Sequence, residues 1–117
     1  MKKQTIFIIM AILVVAVFFS YKVIGSLNAP GQYDDFAKCL TEKNIKMYGT
    51  EWCPHCKAQK KLFGKSFDFV DYIDCDWNKD TCLLEGIAGY PTWKINGNSY
   101  PGTQQLSRLS QLSGCEL

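Results

Sequence analysis

The sequence predicts an α/β domain, a four-stranded mixed sheet flanked by helices, preceded by one transmembrane helix. Three observations carry this reading. Residues 5–19 form an uncharged apolar run that no small domain could bury on all sides. The rest of the chain reads helix, strand, helix, strand, helix, strand, strand, helix. That order divides into a βαβ unit and a ββα unit, which a single small sheet with helices on both faces accommodates.

Lys2 and Lys3 precede the apolar run, which contains neither charge nor proline. Extended to Ile24, with Lys22 snorkelling to the interface, it supplies about 30 Å of helix, the thickness of a hydrocarbon core. The basic start predicts a cytoplasmic amino terminus and an exported carboxyl-terminal domain. A cleaved signal peptide shares the basic start and the apolar core. Its small-residue cleavage sites fit poorly here: Val23-Ile24-Gly25 is only passable, and a cut after Ala29 leaves Pro30 behind it. Residues 1–24 are therefore read as a membrane anchor, with a secreted or periplasmic product after signal cleavage as the alternative. Residues 25–32 read as a tether of small and turn-forming residues, and 33–117 as the folded domain.

Within that domain, Tyr33–Lys43 sets Phe36, Cys39 and Leu40 at helical spacing, with Asp34 and Asp35 at the end that the helix dipole favours. Ile45–Tyr48 reads as a strand and Gly49–Trp52 as a loop. A second helix follows over Pro54–Phe63, with proline where its missing amide costs nothing and Gly64 as the stop. Phe67–Ile73 is rich in aromatic and branched residues and should contain a strand. Asp76–Asp80 is a polar loop, and Thr81–Glu85 a short helix closed by Gly86. Thr92–Ile95 and Ser99–Pro101 are strands joined by an Asn96-Gly97 hairpin turn. Thr103 is placed to cap a last helix carrying Leu106, Leu109 and Leu112, stopped by Gly114.

The formal charge is +2, from 13 basic and 11 acidic residues spread along the chain. Its one basic cluster, Lys57, Lys60 and Lys61, has the spacing of a solvated helix face, so nucleic-acid binding has little support. About 88 residues, Pro30 to Leu117, remain beyond the apolar segment. A domain of that size buries a modest fraction of its surface and gains from cross-links, and the chain carries six cysteines.

Cys53 and Cys56, in Trp52-Cys53-Pro54-His55-Cys56, open the second helix. Two cysteines at this spacing can close a disulfide within one turn, and the first lies at the positive end of the helix dipole among unpaired amides. Those amides favour thiolate, which makes Cys53 the candidate nucleophile and leaving group; Cys56, one turn in and more buried, is the candidate resolving thiol. Pro54 holds the helix start rigid. His55, between the two sulfurs, can stabilise the thiolate and make the disulfide more oxidising, or be an exposed polar filler. An inert disulfide or half of a zinc site is the competing reading. A zinc ribbon wants a second close pair, however, and six residues separate Cys75 from Cys82. No metal and no cofactor beyond the Cys53/Cys56 couple is expected.

The stretch Met47-Tyr48-Gly49-Thr50-Glu51-Trp52-Cys53-Pro54-His55-Cys56, with Gly89-Tyr90-Pro91-Thr92-Trp93 and Asn96-Gly97, resembles the thioredoxin superfamily. Within it, the likeness is to the thioredoxin-like domain fused to bacterial vitamin K epoxide reductase homologues, and it covers nearly all of residues 33–115. The resemblance implies a thioredoxin-like fold and a role in oxidative protein folding. Such a domain takes electrons from cysteines of exported proteins and passes them to a quinone-linked membrane oxidoreductase. Here that partner would be a separate polypeptide, since the chain has a single apolar segment. The resemblance also implies a cis-proline at Pro91 beside the active pair, with the Tyr90 backbone pairing with extended substrate. Thioredoxins carry a buried acid six residues before the first active cysteine. This sequence has Met47 there, which disfavours a reductase, and Cys-Pro-His-Cys is also found in strongly oxidising periplasmic oxidases. A membrane-tethered reductase or isomerase is the alternative.

The other four cysteines, Cys39, Cys75, Cys82 and Cys115, permit three pairings, and the sequence does not choose among them. A local Cys75–Cys82 bridge across the polar loop is geometrically reasonable, and a Cys39–Cys115 bridge would close nearly the whole domain. Buried free thiols are the alternative.

Overall fold

The structure, a computed structural model, describes residues 1–27 and 29–117. Helix α1 (Lys2–Leu27) is apolar and exposed along its length, and is long and apolar enough to cross a membrane. It continues through Leu27 instead of ending at Ile24, so the first part of the expected tether is helical. A lone interior glycine such as Gly25 costs a helix only about 1 kcal/mol, less than breaking the backbone ladder around it. Asn28 of the expected tether lies outside the described residues.

The chain then fastens to the domain before its next helix begins. The Gly31 amide donates to Asp34 Oδ2 at 3.0 Å and the Tyr33 amide to Ser66 Oγ at 2.8 Å. Helix α2 (Asp34–Glu42) buries Phe36, Ala37 and Leu40, the face its spacing predicts. Strand β1 (Lys46–Gly49) leads to helix α3 (Pro54–Phe63), which passes directly into a 3-10 segment (Gly64–Phe69). Strand β2 (Asp71–Asp74), helix α4 (Lys79–Leu84), strand β3 (Thr92–Ile95), strand β4 (Asn98–Pro101) and helix α5 (Leu106–Ser113) complete the domain. Asn96 and Gly97 turn the β3–β4 hairpin with φ of 51° and 78°, the left-handed pair that a two-residue turn requires.

The sheet order is β2-β1-β3-β4, with β1 parallel to β2 and antiparallel to β3, and β3 antiparallel to β4. Successive β1 side chains alternate between faces. Met47 enters the main core with Trp93, Ile95, Phe36, Leu40, Phe63 and Leu109, drawn from α2, α3, β3 and α5. Tyr48 enters a smaller cluster with Cys75 and Cys82, beneath α4. Phe63 anchors the larger one, its ring 6.0 Å from Phe36 and 5.9 Å from Trp93.

Three local expectations shift. The 67–73 segment splits: Phe67 turns within the 3-10 segment and packs edge-on to Phe63, and pairing starts only at Asp71. The short helix runs Lys79–Leu84, not 81–85. Thr103 does not cap α5, whose N-cap is Gln105 without a side-chain bond; its hydroxyl donates across the domain to the His55 carbonyl at 3.1 Å.

Candidate active site at the start of α3

Strand β1 delivers the chain through buried Thr50 and an exposed Glu51-Trp52 turn to Cys53, the N-cap of α3, with Pro54 at the first helical position. An N-cap side chain is aimed at the amides that the helix leaves unpaired. Cys53 Sγ accepts the Cys56 amide at 3.2 Å. Both cysteines are free thiols. Both are buried, Cys53 keeping 4% of its surface and Cys56 none, so the second is the more enclosed. Burial, with a hydrogen bond to Cys53, pushes the Cys56 thiol up to about 12 against the opposing pull of the Thr50 backbone and Lys60. Cys56 therefore keeps its proton near neutral pH, and Cys53, at the start of the helix, is the sulfur placed to attack and depart.

Gly49 makes this depth available. A β-carbon there would stand 2.8 Å from Cys56 Sγ and 3.3 Å from Tyr72 Cε2, so the end of β1 must be bare for both side chains to pack against it. In front of the pair, Trp52 is 63% exposed; its indole donates to Asp76 Oδ2 at 2.9 Å and meets Tyr90 edge-on at 6.3 Å. Tyr90 touches both core clusters, and the Tyr90–Pro91 peptide is cis. The Pro91 carbonyl accepts the Gly102 amide at 2.7 Å. The His55 side chain is exposed. The structure thus sets Cys53 and Cys56 in the core cluster against which Tyr90 packs, with Trp52 edge-on to Tyr90 and Pro54 and His55 on the exposed first turn of α3.

No family model matches the sequence. The thiol-disulfide oxidoreductase LTO1 of Arabidopsis thaliana is 36% identical over 90 residues, 69% of this chain and 24% of that protein. An uncharacterized glutaredoxin-like 8.6 kDa protein of Clostridium pasteurianum is 37% identical over 62 residues, 50% of this chain and 83% of that protein. The chain belongs to the thioredoxin-like superfamily. The thioredoxin of Fasciola hepatica aligns over 68% of this chain and 89% of its own, at 15% identity and a TM-score of 0.46. This thioredoxin-like chain spans only 24% of the length of LTO1.

In this thioredoxin-like domain the remaining cysteines pair as Cys39–Cys115 and Cys75–Cys82, 76 and 7 residues apart. The first ties α2 to the end of the chain beyond α5. The second braces the loop that holds Asp76 under Trp52. Among the described residues no three His, Cys, Asp or Glu side chains are grouped to hold a metal ion.

Two contributors are not marked by any sequence pattern. Gln59, fully buried on α3, accepts from Trp93 Nε1 at 3.1 Å and from the Gln104 amide at 2.6 Å, and donates to the Gln104 carbonyl at 2.9 Å. It thereby fixes α3 against β3 and the loop before α5. Its only sequence signal is a polar residue at an inward position of the helix, three residues after Cys56. Tyr72 reads as an ordinary strand aromatic, yet it packs beside Cys56.

Proposed function

We propose that the chain is a membrane-anchored, extracytoplasmic thiol–disulfide oxidoreductase that oxidises cysteines of exported proteins. A substrate thiolate attacks Cys53 of the Cys53–Cys56 disulfide and a mixed disulfide forms as Cys56 leaves. A second substrate thiolate then releases Cys53, so that the substrate gains a disulfide and the pair becomes a dithiol. The dithiol returns its electrons to a separate membrane oxidoreductase of the vitamin K epoxide reductase type. In this reading Trp52, Pro54 and His55 tune the couple, and Tyr90 and Pro91 seat the extended substrate backbone.

The observation that carries the proposal is the inequality of the two thiols: one caps a helix and keeps a sliver of exposed surface, the other is fully buried and keeps its proton. Two features support the oxidising direction. Position 47 holds a buried methionine where thioredoxins have an acid, and two further disulfides in the domain suit an oxidising compartment. The identity to LTO1 supports the reaction class.

Cys56→Ala should accumulate covalent mixed disulfides through Cys53 in the native membrane, whereas Cys53→Ala should trap none. Equal trapping by both variants overturns the assigned roles. A glutathione titration of the couple tests direction: a potential as low as thioredoxin's, about −270 mV, defeats the oxidase reading.

A further inference from the structure

Cys56 is closed off from water, yet its proton must move each time the pair changes oxidation state. The β1 side chain facing the same core, Met47, is apolar and cannot carry it. Tyr72, on β2, leans on the bare side of Gly49 that also receives Cys56. Among the described residues the buried Tyr72 hydroxyl makes no hydrogen bond of ordinary length, and the Glu51 carboxylate is the acceptor it faces. Lys60 Nζ lies 4.2 Å above the Tyr72 ring and donates to Glu51 Oε1 at 2.7 Å. The Glu51 side chain is exposed, so this cluster reaches from the sealed sulfur to water.

We propose that the Tyr72 hydroxyl is the proton carrier of Cys56, exchanging with water through the Glu51 carboxylate, which Lys60 holds in place. The inference rests on the redox reading above. When a substrate thiolate attacks Cys53, the new sulfur–sulfur bond forms, the Cys53–Cys56 bond breaks, and its electron pair departs on Cys56. Tyr72 gives its proton to that thiolate and regains one from water by way of Glu51. In reverse, the Cys56 proton leaves along the same path as Cys56 attacks the mixed disulfide.

The groups facing Tyr72 fit this role. Burial, then the charges of Glu51, Asp74 and Cys56, raise the Tyr72 phenol, as burial raises the Cys56 thiol. Neither group therefore rests as an anion at neutral pH, and a proton passes between them without becoming trapped. The Lys60 hydrogen bond lowers the Glu51 carboxyl, which keeps it an acceptor at neutral pH.

The test uses the full chain in detergent, with Cys53 loaded as a mixed disulfide with glutathione and glutathione release followed from acid to alkaline pH. Tyr72→Phe keeps the ring under Lys60. It should slow release on the order of 10²-fold at neutral pH, with the loss recovered as hydroxide replaces the carrier at high pH. Glu51→Gln should slow release in the same range. Alkylation of Cys53 in the unloaded dithiol should keep its wild-type rate in both variants, and both should stay folded. A Tyr72→Phe release profile that superposes on wild type overturns the relay alone. Slowing by Tyr72→Phe without slowing by Glu51→Gln overturns the exit through Glu51. Failure of the unmodified chain to release glutathione at any pH overturns the redox reading, and the relay with it.

Discussion

Gly49→Ala tests whether the depth of Cys56 is set by the bare end of β1. The strand backbone at Gly49 is one that alanine adopts freely, and local preference alone would favour alanine by about 0.5–1 kcal/mol. The new methyl, however, would sit 2.8 Å from Cys56 Sγ and 3.3 Å from Tyr72 Cε2, where ordinary contact begins at 3.4 Å. Cys56 has no free surface into which to retreat, and the Tyr72 ring is held beneath Lys60. Overpacking of this kind costs about 1–3 kcal/mol, which exceeds the backbone gain. Net destabilisation of the dithiol form by about 1–2 kcal/mol follows, read as a shift of the midpoint in chemical denaturation. The displaced atom belongs to the proposed redox pair, so dithiol and disulfide forms should lose unequal amounts. Each 1.4 kcal/mol of that inequality moves the couple by about 30 mV in a glutathione titration. Unchanged stability in both forms, together with an unchanged potential, would refute the reasoning.

Three further outcomes follow from the same coordinates. Replacing Cys39 and Cys115 together by alanine should cost about 4.5 kcal/mol and replacing Cys75 and Cys82 about 2.5 kcal/mol in the chain-entropy model, so the larger loop should show the larger midpoint shift. Gln59→Leu should destabilise the domain by about 3 kcal/mol or more, since the Trp93 indole and both backbone groups of Gln104 lose their buried partner; thermal melting would show it, and a wild-type melt would contradict the clamp. The Cys56 thiol rises from 9.0 to about 12 on folding, so its contribution is intact below pH 9 and lost as pH climbs toward 12. The disulfide form has no such titration. The stability of the dithiol relative to the disulfide should therefore fall above pH 9 by up to about 1.4 kcal/mol per pH unit, measured by denaturing both forms side by side.

Short-range pattern carried most of the architecture. Pro54 and Gly64 bracket α3, Asn96-Gly97 turns the hairpin, and the Phe36–Leu40 spacing marks the buried face of α2. The misreadings arise where a distant contact decides. Phe67 has high strand propensity, yet Phe63 and Tyr72 offer its ring a packing site that a helical turn reaches, at centroid distances of 6.0 and 5.6 Å. Thr103 has cap chemistry, yet the His55 carbonyl lies within reach of its hydroxyl. At the site, the Cys-x-x-Cys spacing names both sulfurs and the helix they open. What it omits is what surrounds Cys56: Gly49, Gln59 and Tyr72 come from β1, α3 and β2, and only the folded sheet brings them to one place.

The Tyr33 amide ties the incoming chain to Ser66, in the 3-10 segment that continues α3, whereas Cys53 opens that helix at its other end. The ten residues of α3 set those ends about 15 Å apart. The fastening point of the incoming chain and Cys53 thus stand at opposite ends of one helix, so whatever reaches Cys53 comes to the end of the domain away from where the chain enters it.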